Sequence, residues 1–430
     1  MPMTPPYQVA PLNEEDLKQA QVGFEAVRGT YTDPTFDWPF GLDVTGKRAV
    51  QDISTANGTF DSQTTFVMGS QDVTGTTGGN QEAGALAFND IGIINRLGLG
   101  PGTTTPVSDG GTPAGYLWTG RPSASANDQG SLSAEFGHPD QVETASMLMV
   151  NEETLTIAYS NTSWLYTASL IGRTVAPKAE ILGTATAATA TAVTDTTKAL
   201  TVNALVGAIL QIRSGTGALQ ERTIVSNTAT TITVDSAFTT PPAAGSVYRI
   251  LPTFKPGVVG YARDLIPTAG TQFWLDDQVT AMGTTPVTER MISLSITLAN
   301  NLGTKGFLEN TDAKSARVRK GKRRITGQIE MEMDRARADE EFTEYRRYHQ
   351  GNQINKSWRR LLVRQTGAEI RAGVPKYAEL KIPRLHYTDY TKGNRDGNST
   401  VTLAFSAYVD PAALAIIERN ALNTLAAIPA

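Results

Sequence analysis

From Met291 the sequence reads MISLSITLANN, and from Ile325 it reads ITGQIEMEMD, two stretches in which apolar and polar side chains alternate residue by residue. A strand turns successive side chains to opposite faces, so a strict period of two specifies a half-buried sheet. Ile292, Leu294, Ile296 and Leu298 share one face of the first stretch, against Ser293, Ser295 and Thr297. In the second, Ile325, Ile329, Met331 and Met333 stand opposite Gln328, Glu330, Glu332 and Asp334. Shorter runs bounded by turn residues continue the pattern: SQTTFVMGS, GYLWTGRPS, GSLSAEFGH, SMLMVNEETLTIAYS and SWLYTASLIGR early on, then SWRRLLVRQTG, KYAELKIPRLHYTDY and STVTLAFSAYVD. The chain is therefore expected to be mainly β.

Two helix signals interrupt the strands. GALAFNDIGIINRLG is one, and ADEEFTEYRRYHQG is the other, with Phe342, Tyr345 and His349 on one face, acids in its first turn and Gly351 after its end. Asp410 as cap and Pro411 at the first turn predict a third helix at the end of the chain. In each half a strand, a helix, a strand with a tryptophan near its start, and paired strands follow one another. SQTTFVMGS, GALAFNDIGIINRLG, GYLWTGR and SMLMV with WLYTASLIGR parallel ITGQIEMEMD, ADEEFTEYRRYHQ, SWRRLLVRQ and YAELKIPRLHYTDY with STVTLAFSAYVD, a repeat of pattern without identity.

The expected organisation is an arm over residues 1–58, rich in Pro, Asp and aromatics, a first domain over 59–182, a small all-β module over 183–252 and a second domain over 253–430. The module stands out by composition, with Thr, Ala and Val alternating between turns at SGTG, SNTA and TTPPAAG. With 430 residues, 40% of them hydrophobic, the chain can build several cores. No apolar run approaches the ~20 residues of a membrane-spanning helix, and the opening residues lack the regions of a secretory signal, so an aqueous compartment and no membrane partner are expected.

Residues suited to catalysis are scarce. The chain has no cysteine, which removes disulfides, thiol chemistry and cysteine-ligated zinc. Its 3 histidines, His138, His349 and His386, have no second histidine or carboxylate at metal-site spacing. TGTTGGNQEAGAL has no P-loop Gly-Lys-Ser/Thr and reads as a flexible loop, and Asp276 and Asp277 point to opposite sides of a strand, which argues against a shared metal. No enzyme, cofactor or metal site is expected.

Charge is unevenly spread. From Asn301 onward there are 23 Lys/Arg against 15 Asp/Glu, and before it 15 against 27. The positive end is densest at Lys314, Arg317, Arg319, Lys320, Lys322, Arg323 and Arg324. Such a cluster can neutralise phosphates, but no aromatic residue lies between Lys314 and Arg324 to stack on bases. The cluster is a solvated loop between strands, a DNA-binding patch, or a contact to the acidic part of another copy.

The run MISLSITLANNLG, a polar loop, GKRRITGQIEMEMD, a helix and STVTLAFSAYVDP resembles the tail tube proteins (major tail proteins) of long-tailed, non-contractile bacteriophages. Gly321, Arg324, Ile325, Thr326 and Gly327 match the family's Gly-basic-x-Val/Ile-Thr-Gly strand start. The similarity covers most of residues 60–182 and 253–412. It implies two tandem tail-tube-type β-sandwich domains, each with a flanking helix, in a virion protein that stacks as rings into a conduit for DNA. It further implies that each domain lends strands to a closed barrel, with two fused domains giving a trimeric, pseudo-hexameric ring in preference to a hexamer. Partners would be further copies, the tape measure, tail terminator and tail tip proteins, and passing DNA; the places would be the virion tail and, during assembly, the host cytoplasm. The basic cluster would then dock on a neighbouring subunit or ring, and Glu330, Glu332 and Asp334 would face the lumen. The module has no counterpart in the minimal fold, and an outward decoration is expected. Other readings are a baseplate or head-decoration subunit, or a DNA-binding module.

Overall fold

Alternation in the sequence becomes antiparallel pairing in the chain, which is mainly β. The computed structural model describes residues 19–54, 64–79, 82–100, 106–122, 129–139, 141–258, 260–288, 290–305, 316–319, 321–333, 340–346, 358–409 and 416–427. Among the described residues, one sheet system of 17 strands carries the main core, a second of 7 strands carries its own, and a two-stranded ribbon stands apart.

The same six strand pairings occur twice. Gln19–Phe24 lies beside Leu132–His138 as Gln272–Asp276 lies beside Arg359–Arg371. The hairpin of Leu42–Ser54 and Thr64–Gly78 has its counterpart in Met291–Ala299 and Arg324–Glu332. Leu165–Gly172 joins Thr64–Gly78 as Asn398–Ala407 joins Arg324–Glu332. The long strand Gln141–Ala158 pairs with both Leu132–His138 and Leu165–Gly172, and Val374–Arg395 pairs with Arg359–Arg371 and Asn398–Ala407 in the same way. Finally Thr174–Pro177 returns to Gln141–Ala158 as Glu418–Asn423 returns to Val374–Arg395. A helix, Asp90–Gly98 in the first half and 340–346 in the second, follows each hairpin.

The strand containing Trp118, Tyr116–Gly120, is not the counterpart of SWRRLLVRQ, because it crosses to the other half and pairs with Glu418–Asn423. Leu132–His138 takes that place, so the shared tryptophan is incidental. Nor does the chain close on a helix after the undescribed residues 410–415. Ala421 turns to the core from a strand, Glu418–Asn423, that lies beside Val374–Arg395, and Ile417 is buried just before it. Residues 19–54, expected as part of an arm, are woven into the body, with Val22, Phe36, Trp38, Phe40 and Val44 buried and the Trp38 indole donating to Thr77 Oγ1 at 2.7 Å. The glycine-rich stretch begins as strand rather than loop, as far as Gly78, whose φ of +78° and close approach to the Tyr166 carbonyl exclude a side chain. His349 and Gly351 lie outside the described residues.

The second sheet spans Ile181–Thr184 to Val247–Ile250, and these two end strands pair with each other. Val193, Leu210, Ile212, Ile224, Ile232 and Tyr248 form its separate core. It falls between the last strand of one repeat and the first of the next. One buried carboxylate ties it to the body. Glu135 accepts from Tyr31 Oη at 3.0 Å, from Lys178 Nζ at 2.6 Å on the entering segment, and from the Lys255 backbone N–H at 2.8 Å on the leaving one. Lys178 also donates to the Thr253 carbonyl at 2.8 Å, so the two connecting segments are bound to each other as well.

Glu135→Gln removes the charge that three donors converge on, and a charge-assisted hydrogen bond contributes about 1.5–3 kcal/mol. Limited proteolysis is expected to cut the connecting segments about tenfold faster, since ~1.4 kcal/mol is a factor of ten, while a fragment spanning 181–250 stays resistant because its core is its own. Alkaline pH is expected to destabilise the whole chain. Burial, joined by Glu135 at Tyr31, Glu153 at Tyr166 and Asp90 at Tyr261, raises these phenols above their ordinary value of 10.0. A pKa raised on folding gives stability that is complete below the unfolded value and lost as pH rises past it. A tyrosine absorbance titration should therefore show these groups ionising only together with unfolding above about pH 10.

Candidate functional site

The two halves meet by strand pairing. Met291–Ala299 lies antiparallel to Gln141–Ala158, from Ser293 opposite Ala158 to Ala299 opposite Glu152. This joint lines up strands in the order Leu42–Ser54, Thr64–Gly78, Leu165–Gly172, Gln141–Ala158, Met291–Ala299, Arg324–Glu332, Asn398–Ala407 and the far end of Val374–Arg395. Apolar residues of these strands, among them Val44, Val73, Leu155, Ile157, Leu294, Ile296, Ile325, Ile329 and Leu403, face one core.

The opposite face carries hydroxyls. A single register row reads Thr167, Thr154, Thr297, Thr326, Ser406 across five strands, and Thr154 Oγ1 and Thr297 Oγ1 are 2.9 Å apart across the joint. β-Branched threonine suits an extended backbone and satisfies water on the exposed side. The row was invisible in sequence because no single strand contains it.

Beneath the joint lies a buried ion pair. Glu153 sits on the core side of its strand, 2.8 Å from Arg419 Nη2, and its other oxygen accepts from Tyr166 Oη at 3.1 Å. Arg419 comes from the last strand of the second half and donates to the Ile94 carbonyl in the helix of the first at 3.2 Å. Asn300 reaches the carbonyls of Gly98 and Val150, each at 3.2 Å. The helix Asp90–Gly98 is consequently buried along nearly its whole length.

The basic cluster divides in this setting. Lys314 and Lys320 lie outside the described residues, as does Asp334. Arg317 and Arg319 fall on a strand, Ala316–Arg319, opposite Thr304 and Leu302. What reads as a long polar loop is thus in part a two-stranded ribbon. Lys322 is exposed, and its carbonyl accepts from Asn301 Nδ2 at 2.6 Å. Arg323 turns back onto its own chain, to Asn300 Oδ1 at 2.9 Å and the Leu99 carbonyl at 3.4 Å, where the C-terminal end of a helix favours a cation. Arg324 is exposed and begins its strand opposite Ala299.

Glu330 and Glu332 do stand on the hydroxyl-rich face. Glu330 is not an isolated charge, since Arg395 Nη1 lies 3.1 Å and Ser293 Oγ 3.1 Å from its Oε2. Asp276 and Asp277 organise a turn. Asp276 accepts from the N–H of Gly283 at 2.7 Å and of Thr285 at 2.6 Å, and Asp277 from those of Val279 at 3.0 Å and Thr280 at 2.7 Å. Among the described residues no group of three His, Asp or Glu is arranged to hold a metal, and no helix is long and apolar enough to cross a membrane.

No protein-family model matches the chain, and no curated protein matches it.

Arg419→Ala leaves the Glu153 carboxylate buried without its counter-charge, which costs about 3–5 kcal/mol. Chemical denaturation should show a loss of that size, with the joint and the helix Asp90–Gly98 losing amide-exchange protection first.

Proposed function

We propose that the chain is a structural virion protein that stacks as rings into the tail tube of a long-tailed, non-contractile bacteriophage and forms a conduit for DNA. The observation that carries this reading is the doubled set of six pairings, joined into one eight-strand sheet with a polar face and two edges that no strand among the described residues covers. Each half is a tail-tube-type β-sandwich domain, and the joint between them inside one chain models the joint between chains. A sheet edge with unpaired backbone groups invites another strand, and closure into a barrel removes every edge. Three copies then give a ring of six equivalent domains.

Rim geometry supports stacking. Leu42–Ser54 and Thr64–Gly78 run on past the last residue paired with Leu165–Gly172, and the ribbon of Leu302–Lys305 and Ala316–Arg319 continues the equivalent hairpin beyond the same rim. Both hairpins project in one direction, as contacts to a next ring require. The basic residues Arg317 and Arg319 belong to this projection, whereas Arg323 serves the joint inside the chain.

The hydroxyl face becomes the lumen. Hydroxyls hydrogen-bond water readily and hold phosphates without the counterion release that makes Lys and Arg contacts tight. Glu330 and Glu332 add negative charge that the Arg395 contact partly offsets. The module between the repeats decorates the outside, three per ring.

Electron microscopy of the purified chain is expected to show hollow tubes built of threefold rings. Monomers that stay dispersed at high concentration, or closed shells without a lumen, overturn the reading.

A further inference from the structure

We infer that the strand pair inside the chain sets the register between chains, so that Leu42–Lys47 of one copy pairs antiparallel with the Asp389–Asn394 edge of the next and Thr45 faces Thr391. The inference rests on the ring reading and specifies its interface.

The equivalences follow from pairing alone. Leu165–Gly172 and Asn398–Ala407 end at equivalent residues, Gly172 opposite Val73 and Ala407 opposite Ile325. Counting back four places, Ala168 pairs with Thr77 and Glu153, and Leu403 pairs with Ile329 and Tyr390. Glu153 and Tyr390 are thus equivalent. Leu42, opposite Thr77, is likewise equivalent to Leu294, opposite Ile329.

Three independent features agree with this alignment. Glu153 lies against Gly98 of its repeat's helix, and Tyr390 packs at 5.1 Å and 5.8 Å on Phe342 and Tyr345 of the other helix. Each long strand has a break in register just before the aligned segment, between Val150 and Glu152 in one and between Tyr387 and Asp389 in the other. Thr45 pairs with Thr74 as Thr297 pairs with Thr326, so both hairpins carry a threonine pair at this position.

Inside the chain Thr297 faces Thr154 and Ala299 faces Glu152. Transferred to the open edges, Thr45 faces Thr391 and Lys47 faces Asp389. The second pair joins opposite charges, both exposed in the single chain. Cross-strand neighbours of opposite charge stabilise a sheet, and like charges there destabilise it. The exposure of the second helix has the same explanation. Asp90–Gly98 is buried by the half that docks on it, while Phe342 and Arg346 on 340–346 remain exposed where the next copy would arrive.

The chain has no cysteine, so introduced thiols report only on each other. Thr45 and Thr391 of one copy stand on opposite edges of the sheet, roughly 30 Å apart at ~4.8 Å per strand. Facing residues in an antiparallel pair have Cα atoms about 4.5–5.5 Å apart, within disulfide range. Under mild oxidation the double variant Thr45→Cys/Thr391→Cys is expected to run as covalent dimers and closed trimers on a non-reducing gel. Mixed single variants should give dimers only. Thr45→Cys/Lys392→Cys places the thiols on opposite faces and should stay monomeric on the gel.

A charge exchange tests the register without thiols. Lys47→Asp and Asp389→Lys should each raise the concentration needed for assembly by roughly threefold or more, and the combined variant should raise it by less than the product of the two single effects, as expected for a cross-strand pair, with a residual cost where Lys47→Asp meets Asp72 opposite it in the hairpin. Assembled rings that cross-link at a different pair, or charge variants whose effects simply add, overturn the register and leave the ring reading intact. Failure of the unaltered chain to form rings overturns that reading itself.

Discussion

The antiparallel pairing of Gln141–Ala158 with Met291–Ala299 is the constraint on which the rest of the architecture depends. It turns two repeats with two open edges each into one sheet with two edges in total, and it aligns the polar faces into a single surface. A slip of one residue would turn Leu294, Ile296 and Leu298 to water, so the apolar face itself fixes the register. The buried Glu153–Arg419 pair acts on the same choice. A buried ion pair adds little net stability compared with apolar packing, but breaking it is costly, so any register that separates the two groups is penalised. Arg419 arrives from the last described strand of the chain. The joint is therefore completed by the C-terminal segment, where the sequence pattern predicts a helix and the chain forms the strand Glu418–Asn423.

Placement of the 181–250 sheet follows from the same geometry. Its end strands pair with each other, so entrance and exit are adjacent, and the connection between repeats is barely lengthened in space by a module of this size. Glu135 adds what pairing cannot, a fixed attachment to the body. Without its three donors the carboxylate would be buried and uncompensated, so the clasp and the fold of residues 25–35 depend on each other.

Local pattern was legible in the sequence and long-range pairing was not. Period two in MISLSITLANN and ITGQIEMEMD reports which side chains face inward, and the faces agree with the burial of Leu294, Ile296, Ile325 and Ile329. The element order of the two halves was readable too, except where Trp118 suggested a false correspondence. A single side chain carries no information on its strand partner. The aromatic segment TYTDPTFDWPFGLD looks like a surface arm because prolines and aspartates break its periodicity, yet Phe36, Trp38 and Phe40 fill the core through bends that only tertiary contacts select. The basic run has the same limit. Six of its eight residues from Arg317 to Arg324 are cationic, and composition cannot tell that Arg323 caps a helix more than 220 residues away in sequence while Arg317 and Arg319 lie on the ribbon.

Charge along the chain takes on a different meaning once the halves are superposed by pairing. The acidic excess before Asn301 and the basic excess after it fall on two equivalent repeats, so the joint between them brings an acidic unit against a basic one. Inside the chain this is Glu153 with Arg419, two thirds of the chain apart. In the contact proposed between chains the polarity is reversed at the aligned position, with Lys47 from the acidic half and Asp389 from the basic half. Residue-level complementarity at an edge is therefore not inherited from the net charge of the domain. It is specified where two strands meet, because opposite side chains there are about 4.5–5.5 Å apart.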